Sequence, residues 1–146
     1  MKWRISLMLA LTFLLTACSV NETIKTKATD DRLSPCPTSP NCVSSLSADK
    51  SHYVEPLKYN GTIEEAREKL ISVVHSMKRS EIVTAEIDYI HATFKSALFG
   101  FVDDVEFSFD DQRKVIDVKS ASRTGYSDLG VNRKRVEEIR KRFVNP

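Results

Sequence analysis

Four short segments in which apolar and polar residues alternate follow one another in the second half of the chain, and they constrain its fold most. They cover residues 81–87, 89–95, 101–109 and 114–121. Alternation of this kind is typical of strands that bury one face. Parallel strands need a connection of about a dozen residues or more, and none of these gaps is that long. The spacing therefore predicts an antiparallel meander.

Two amphipathic helices flank the meander. The first is predicted to begin at Thr62, because Glu65 three residues later completes a capping box. The second is predicted to begin at Ser127 or Asp128 and to bury an apolar stripe that starts at Leu129. Each strand has one apolar face and each helix one apolar stripe. The predicted fold class is therefore α+β, with two helices packed on one face of an antiparallel sheet of about four strands.

The first 17 residues have the three parts of a secretory signal peptide. Lys2 and Arg4 give a positive start, residues 5–15 are almost entirely apolar, and small residues precede Cys18. An apolar run of about 11 residues spans roughly 16 Å as a helix, about half of the hydrocarbon core of a bilayer. We therefore expect residues 1–17 to be a cleaved signal peptide rather than a membrane span.

The tetrapeptide Leu15-Thr16-Ala17-Cys18 resembles the lipobox of bacterial lipoproteins. The resemblance implies that the chain is cut before Cys18, that its thiol receives a diacylglycerol, and that fatty acids such as palmitate acylate the new amine. Acyl chains stabilise membrane attachment by about 0.8 kcal/mol per buried methylene. The expected location is therefore the cell envelope, with the membrane as a partner through this lipid. Ser19 favours the outer membrane, facing the periplasm, in a Gram-negative host.

The rest of the sequence divides into a polar stretch and one domain. Residues 18–32 are predicted to form a lipidated flexible tether, and residues 33–146 suffice for a single α+β domain. Once Lys2 and Arg4 are lost, the other lysines and arginines equal the 20 acidic residues in number. A nucleic-acid-binding domain carries a clear basic excess. No nucleic-acid partner is therefore expected.

Cys36 and Cys42 are the two cysteines that remain once Cys18 carries lipid. Export implies an oxidising compartment, where such a pair favours a disulfide. A zinc site and a redox-active pair are the alternatives. No second pair of cysteines or histidines lies at metal-binding spacing, and the spacing is not the Cys-x-x-Cys of redox motifs. We predict a structural disulfide that closes a loop containing Pro37 and Pro40.

A polar site is predicted where the third strand meets the second helix. Asp104 and Glu106 lie two residues apart, so they share one face of the strand at a separation of about 6–7 Å. Asn132 occupies a position where the helical stripe predicts an apolar residue, and a buried amide needs hydrogen-bond partners. The candidate residues are His91, Asp103, Asp104, Glu106, Arg123, Tyr126, Asp128, Asn132 and Arg133.

Two interpretations of this site are open. In both, one network joins the acids of the strand to Arg123, Asn132 and Arg133. The network either fixes the helix on the sheet or binds a ligand, with His91 as a candidate base. The acids Asp103, Asp104 and Glu106 would also suit a hard cation such as Ca²⁺ or Mg²⁺. No other cofactor is expected.

Three blocks of the sequence carry a resemblance to a known family. They are LSPCPTSPNCVSS at residues 33–45, GFVDDVEF at residues 100–107 and SASRTGYSDLGVNRKR at residues 120–135. In this order they look like successive blocks of the domain of unknown function 1499 family, and the likeness extends over about residues 33–143. The family has no established activity, ligand or catalytic residue, so the resemblance implies no function.

Two functions are open from the sequence. The first is a membrane-anchored envelope lipoprotein whose domain is a non-catalytic binding or scaffolding module for an unknown envelope protein or small ligand. The second is a metal-assisted hydrolase that uses the three acids with His91. The first function is favoured, because the predicted site offers one histidine as a general base and no recognised nucleophile. A concave pocket with convergent polar groups would favour the second.

Overall fold

The structure is a computed structural model that describes residues 32–145. The expected signal peptide, Cys18 and all of the tether before Arg32 lie outside the described residues. In chain order the elements are β1 Cys42–Ser44, β2 Leu57–Lys58, α1 Ile63–Ser76, β3 Ser80–Ala85, β4 Tyr89–Lys95, β5 Val102–Asp110, β6 Val115–Ser122 and α2 Val131–Val144. Neither helix of this part of the chain is long and apolar enough to cross a membrane.

The sheet has six strands and contains the predicted meander. Its order is β1-β6-β5-β4-β3, β2 pairs with β6 as well, and every pair of named strands is antiparallel. The predicted α+β class is confirmed. The estimate of about four strands is too low, because β1 and β2 have only three and two residues. Strands this short cannot display an alternating pattern.

Helix α1 begins as its capping box predicts. The hydroxyl of Thr62 accepts a hydrogen bond from the backbone N–H of Glu65, and the Glu65 carboxylate accepts one from the N–H of Thr62. This exchange satisfies two of the N–H groups that a helix start leaves unpaired. The helix then buries Ala66, Leu70 and Val74.

Helix α2 begins later than predicted. Its N-cap is Gly130, with φ of 77°, rather than Ser127 or Asp128. Leu129 also has a positive φ, 54°, so the chain turns sharply before the helix and leaves the Leu129 side chain 86% exposed. The expectation that Leu129 is buried is wrong for this reason. Asp128 still caps the helix, because its carboxylate accepts from the N–H groups of Gly130 and Asn132.

Both helices cover the same face of the sheet. Phe107 of β5 is fully buried there, with Leu70 from α1 and Ile139 from α2 in the same core. Truncation of a large buried side chain of this kind costs about 3–5 kcal/mol. We call the opposite face, which carries Asp104 and Glu106, the open face.

The segment before β1 crosses the open face. Arg32 donates hydrogen bonds to both carboxylate oxygens of Asp88, which directly precedes β4. Ser34 then accepts a hydrogen bond from Lys119 of β6 over 2.6 Å. The predicted disulfide Cys36–Cys42 is confirmed, and it joins this segment to the start of β1.

Candidate functional site

Strand β5 places neighbouring acids on opposite faces of the sheet. Asp104 and Glu106 lie on the open face, whereas Asp103 is in phase with the core residues Val105 and Phe107. Successive side chains of a strand point to alternate faces. The prediction of one network is therefore wrong, because these acids form two separate clusters.

The helix-face cluster consists of Asp103, Ser120, Ser122, Asn132 and Arg135. Arg135 of α2 donates to Asp103 over 2.5 Å and to Asn132 over 2.6 Å. Only 8% of the Asp103 side chain and 9% of the Arg135 side chain are exposed. The guanidinium of Arg135 also lies 4.9 Å from the centre of the Phe94 ring, so this ion pair is buried between α2 and the sheet.

The amide of Asn132 is fully buried and fully bonded. Its oxygen accepts from the hydroxyl of Ser120 over 2.5 Å, and its nitrogen donates to the hydroxyl of Ser122 and to the carbonyl of Asn41, each over 3.1 Å. Asn41 directly precedes β1, so one amide connects α2, β6 and the disulfide loop. The helix-face cluster therefore fixes α2 on the sheet.

The open-face cluster consists of Tyr89, His91, Asp104, Glu106, Lys119 and Arg123. Arg123 donates to both carboxylate oxygens of Asp104, each over 2.8 Å, and Nε2 of His91 lies 2.8 Å from one of them. The Arg123 guanidinium holds the pKa of Asp104 below its ordinary value, and the bond from His91 acts in the same direction. The Arg123 side chain is 51% exposed, so this ion pair lies at the surface.

Glu106 belongs to the second half of the open-face cluster. The hydroxyl of Tyr89 donates to its carboxylate over 2.7 Å, and Nζ of Lys119 lies 3.5 Å from the other oxygen. Burial raises the pKa of Tyr89 above its ordinary value, and the bond to Glu106 raises it further. The hydroxyl therefore remains a donor throughout the physiological pH range.

Three of the predicted residues join neither ion-pair network. Arg133 donates to the backbone carbonyls of Ser51 and Tyr53 over 2.7 and 2.6 Å. Asp128 caps α2 as described, and Tyr126 is 77% exposed. The predicted pairing of Arg133 with the acids of β5 is therefore wrong.

Sequence reasoning missed Arg135, Tyr89 and Lys119. Arg135 lies three positions after Asn132, and residues at this spacing share one face of a helix. Tyr89 precedes His91 by two positions on β4 and therefore lies on the same face. These two spacings are the signals that could have identified Arg135 and Tyr89. The place of Lys119 depends on the register of β6, which pairs it with Glu106.

The three acids expected to bind a cation do not converge. Asp103 lies on the helix-covered side, so it cannot share a coordination sphere with Asp104 and Glu106. Within residues 32–145, no group of three or more His, Cys, Asp or Glu side chains is arranged to hold a metal ion.

A cavity of about 340 Å³ lies between the connection from β2 to α1 and the two helices. Its wall includes Tyr59, Lys69 and Phe143. None of the residues of the helix-face or open-face cluster lines it. This cavity is thus separate from the predicted acids.

Exposed apolar side chains concentrate at one end of the sheet, which we call the loop end. The connections 96–101 and 123–130 emerge there side by side, because the N–H of Arg123 donates to the carbonyl of Val102 over 3.0 Å. The exposed apolar residues of the loop end are Leu98, Phe99, Phe101, Tyr126, Leu129 and Val131, with exposed fractions between 46% and 86%. Large exposed apolar patches mark interaction surfaces.

The fold and the site together define a class of protein. It is a two-layer α+β domain in which the acids of β5 form ion pairs with basic side chains of the same domain, and in which the loops at one end of the sheet expose apolar side chains. Residues 32–143 match the family model described as "Protein of unknown function (DUF1499)", and the chain belongs to this family. The resemblance carried by the three sequence blocks is thereby confirmed. No curated protein matches the chain.

Proposed function

We propose that this protein is a lipid-anchored component of the bacterial cell envelope whose domain is a non-catalytic binding module. One observation carries the second half of this proposal: each of the three carboxylates that the alternative hydrolase would use already has a cationic partner. Asp103 is held by Arg135, Asp104 by Arg123, and Glu106 by Lys119. A general base or a metal ligand needs a lone pair that substrate or metal can reach, whereas each of these carboxylates faces a cation that competes with a metal ion or a proton for it.

The proposal of a lipid anchor is based on the residues that precede the domain. The signal-peptide pattern and the lipobox-like residues 15–18 support lipidation of Cys18. The disulfide Cys36–Cys42 supports an oxidising compartment. The proposed location is the periplasmic side of the outer membrane in a Gram-negative host.

The proposed contact surface is the loop end rather than either ion-pair cluster. Its apolar side chains are exposed within residues 32–145, whereas the acids of the two clusters are paired with basic residues of the same domain. We propose an envelope component as the partner, bound through this surface.

The anchor is tested by metabolic labelling with radioactive palmitate in a Gram-negative host. The wild-type chain should incorporate the label, Cys18→Ser should incorporate none, and the matched control Ser19→Ala should be labelled like the wild type. Labelling of Cys18→Ser at the wild-type level would contradict the anchor.

The non-catalytic role is tested by the metal content of the natively purified protein. A metal-assisted hydrolase would retain a stoichiometric divalent metal that Asp104→Asn removes and that the control Asp111→Asn, at the other end of the sheet, leaves in place. We expect no such dependence on Asp104. A metal lost only in the Asp104 variant would favour the hydrolase instead.

A further inference from the structure

The loop end combines its apolar residues with basic residues that have no acidic partner. Lys78 and Arg79 form the turn before β3, Lys95 ends β4, and Lys134 lies in the first turn of α2. None of these four residues forms an ion pair within residues 32–145. Since Arg79 immediately precedes Ser80, which pairs with Phe94 next to Lys95, the basic groups surround the same loops that expose the apolar ones.

At the opposite end of the sheet the acidic residues are paired with basic ones. The turn from β3 to β4 contains Glu86 and Asp88, and β5 ends at Asp110, followed by Asp111. Arg113 and Lys114 in the same turn are paired with Asp110 and Asp111. Arg32 is likewise paired with Glu86 and Asp88. The four basic residues named for the loop end have no such pairing, and the loop end also carries more exposed apolar residues.

We propose that the loop end docks on the surface of a bilayer that contains anionic phospholipid. This inference rests on the proposed function, in which the contact surface is the loop end. Leucine and aromatic side chains enter the boundary between headgroups and acyl chains, while lysine and arginine around them face the anionic headgroups. Both components are present on adjacent connections, and a protein partner would require no basic rim.

The anchor can reach this orientation. Arg32 is bound at the end opposite the loop end through Asp88, so Cys18 must be able to lie at least the length of the sheet away from Arg32 when the loop end faces the membrane. The nine residues of β5 span about 30 Å at the rise of a strand. The roughly 14 residues from Cys18 to Arg32 can span at most about 50 Å, which suffices.

A single fluorophore at each end tests the proposal on the full chain. Trp3, the one tryptophan of the sequence, leaves with the expected signal peptide, so the mature chain provides a dark background. Trp3→Phe is added so that an unprocessed Cys18→Ser chain is dark as well. Leu98→Trp then reports on the loop end, where position 98 is 81% exposed, and the matched control Ile87→Trp reports on the opposite end, where position 87 is 52% exposed. Each variant is reconstituted into vesicles of phosphatidylcholine with or without phosphatidylglycerol, with bromine on the acyl chains as quencher.

With phosphatidylglycerol present, emission from position 98 should shift to shorter wavelength and be quenched by the brominated lipid, while emission from position 87 should change in neither respect. Each basic residue near an anionic surface contributes about 1 kcal/mol, so Lys78→Gln should lower the ratio of docked to undocked protein about fivefold. The control Lys58→Gln at the other end should leave this ratio unchanged.

Equal water exposure of positions 98 and 87 on anionic vesicles would overturn the proposal. So would quenching that is as strong on pure phosphatidylcholine, or shielding of position 98 only when another protein is added. Repeating the measurement with Cys18→Ser separates docking from anchoring. Palmitate labelling without quenching at position 98 would contradict the docking proposal alone. Quenching without labelling would contradict the anchor alone.

Discussion

Asp103 and Asp104 are neighbours in the chain, yet they lie on opposite faces of the sheet in different surroundings. Asp103 and its partner Arg135 lie between helix and sheet, with 8% and 9% of their side chains exposed. Asp104 and its partner Arg123 lie on the open face, with 27% and 51% exposed. The alternation of a strand alone decides which acid is enclosed and which faces solvent.

The two ion pairs differ in how much the free energy of unfolding falls when one partner is removed. A buried charge that loses its partner has neither water nor a counter-ion to stabilise it. An exposed charge that loses its partner is rehydrated, so the loss is small. The same type of ion pair therefore holds α2 in place on one face and contributes little stability on the other.

The largest effect is expected for Arg135→Met, which leaves Asp103 buried without a cation. The free energy of unfolding should fall by about 3–5 kcal/mol, measured by urea denaturation. Adding Asp103→Leu to this variant should restore much of the lost free energy of unfolding, because the helix-face cluster then contains no buried charge. If Arg123→Met lowers the denaturation midpoint as much as Arg135→Met does, the two faces do not differ in the proposed way.

A smaller loss is expected for Asn132→Leu. The substitution removes one of the two hydrogen bonds of the Ser120 hydroxyl and one of the two of the Asn41 carbonyl, which keep Arg135 and the N–H of Ser122 as partners. Each lost hydrogen bond costs about 0.5–1.5 kcal/mol. The exposed asparagine Asn60 supplies the control, since Asn60→Leu breaks no hydrogen bond of the helix-face cluster. Similar unfolding free energies for the two variants would show that the buried amide is dispensable.

Asp104→Asn should reduce the free energy of unfolding by only about 0.5–1 kcal/mol, the range of surface ion pairs. Its bond with Arg123 weakens when the carboxylate becomes an amide, but both groups remain hydrated. Chemical denaturation at neutral pH measures this change. A loss comparable with that of Arg135→Met would mean that the open face is less accessible to water than its exposure indicates.

The smallest effect is expected in the pH dependence of stability. The pKa of Asp104 is lower in the folded chain than its ordinary value, chiefly because of Arg123. Its contribution is therefore complete above the unfolded pKa, near 3.9, and is lost as the pH falls through the lower folded value. Below about pH 4 the wild type should thus lose more stability than Asp104→Asn. Parallel pH profiles of the two proteins would contradict this assignment.

The meander and the start of α1 could be predicted because their signals are local. Alternation identifies strands, and the Thr62–Glu65 spacing identifies a helix start. The short strands β1 and β2 could not be predicted, since their pairing depends on a long-range register with β6 and on no pattern of their own.

The candidate site was only partly predictable for a similar reason. The prediction that Arg123 binds the acids of β5 is correct for Asp104 alone. The stripe of α2 through Asn132, Val136 and Ile139 is buried as predicted. The arginine that binds Asp103 is nevertheless Arg135, three positions after Asn132 and on the same side of the helix, rather than the adjacent Arg133.

The strip of chain that crosses the open face has a mechanical consequence. Tension applied on the N-terminal side of Arg32 would break the described contacts in sequence. It would load the ion pair of Arg32 with Asp88 first and the hydrogen bond between Ser34 and Lys119 next. At Cys36 the load passes through a covalent bond into β1, where peeling stops. If the domain is anchored as proposed, this short segment would detach under tension before the sheet does.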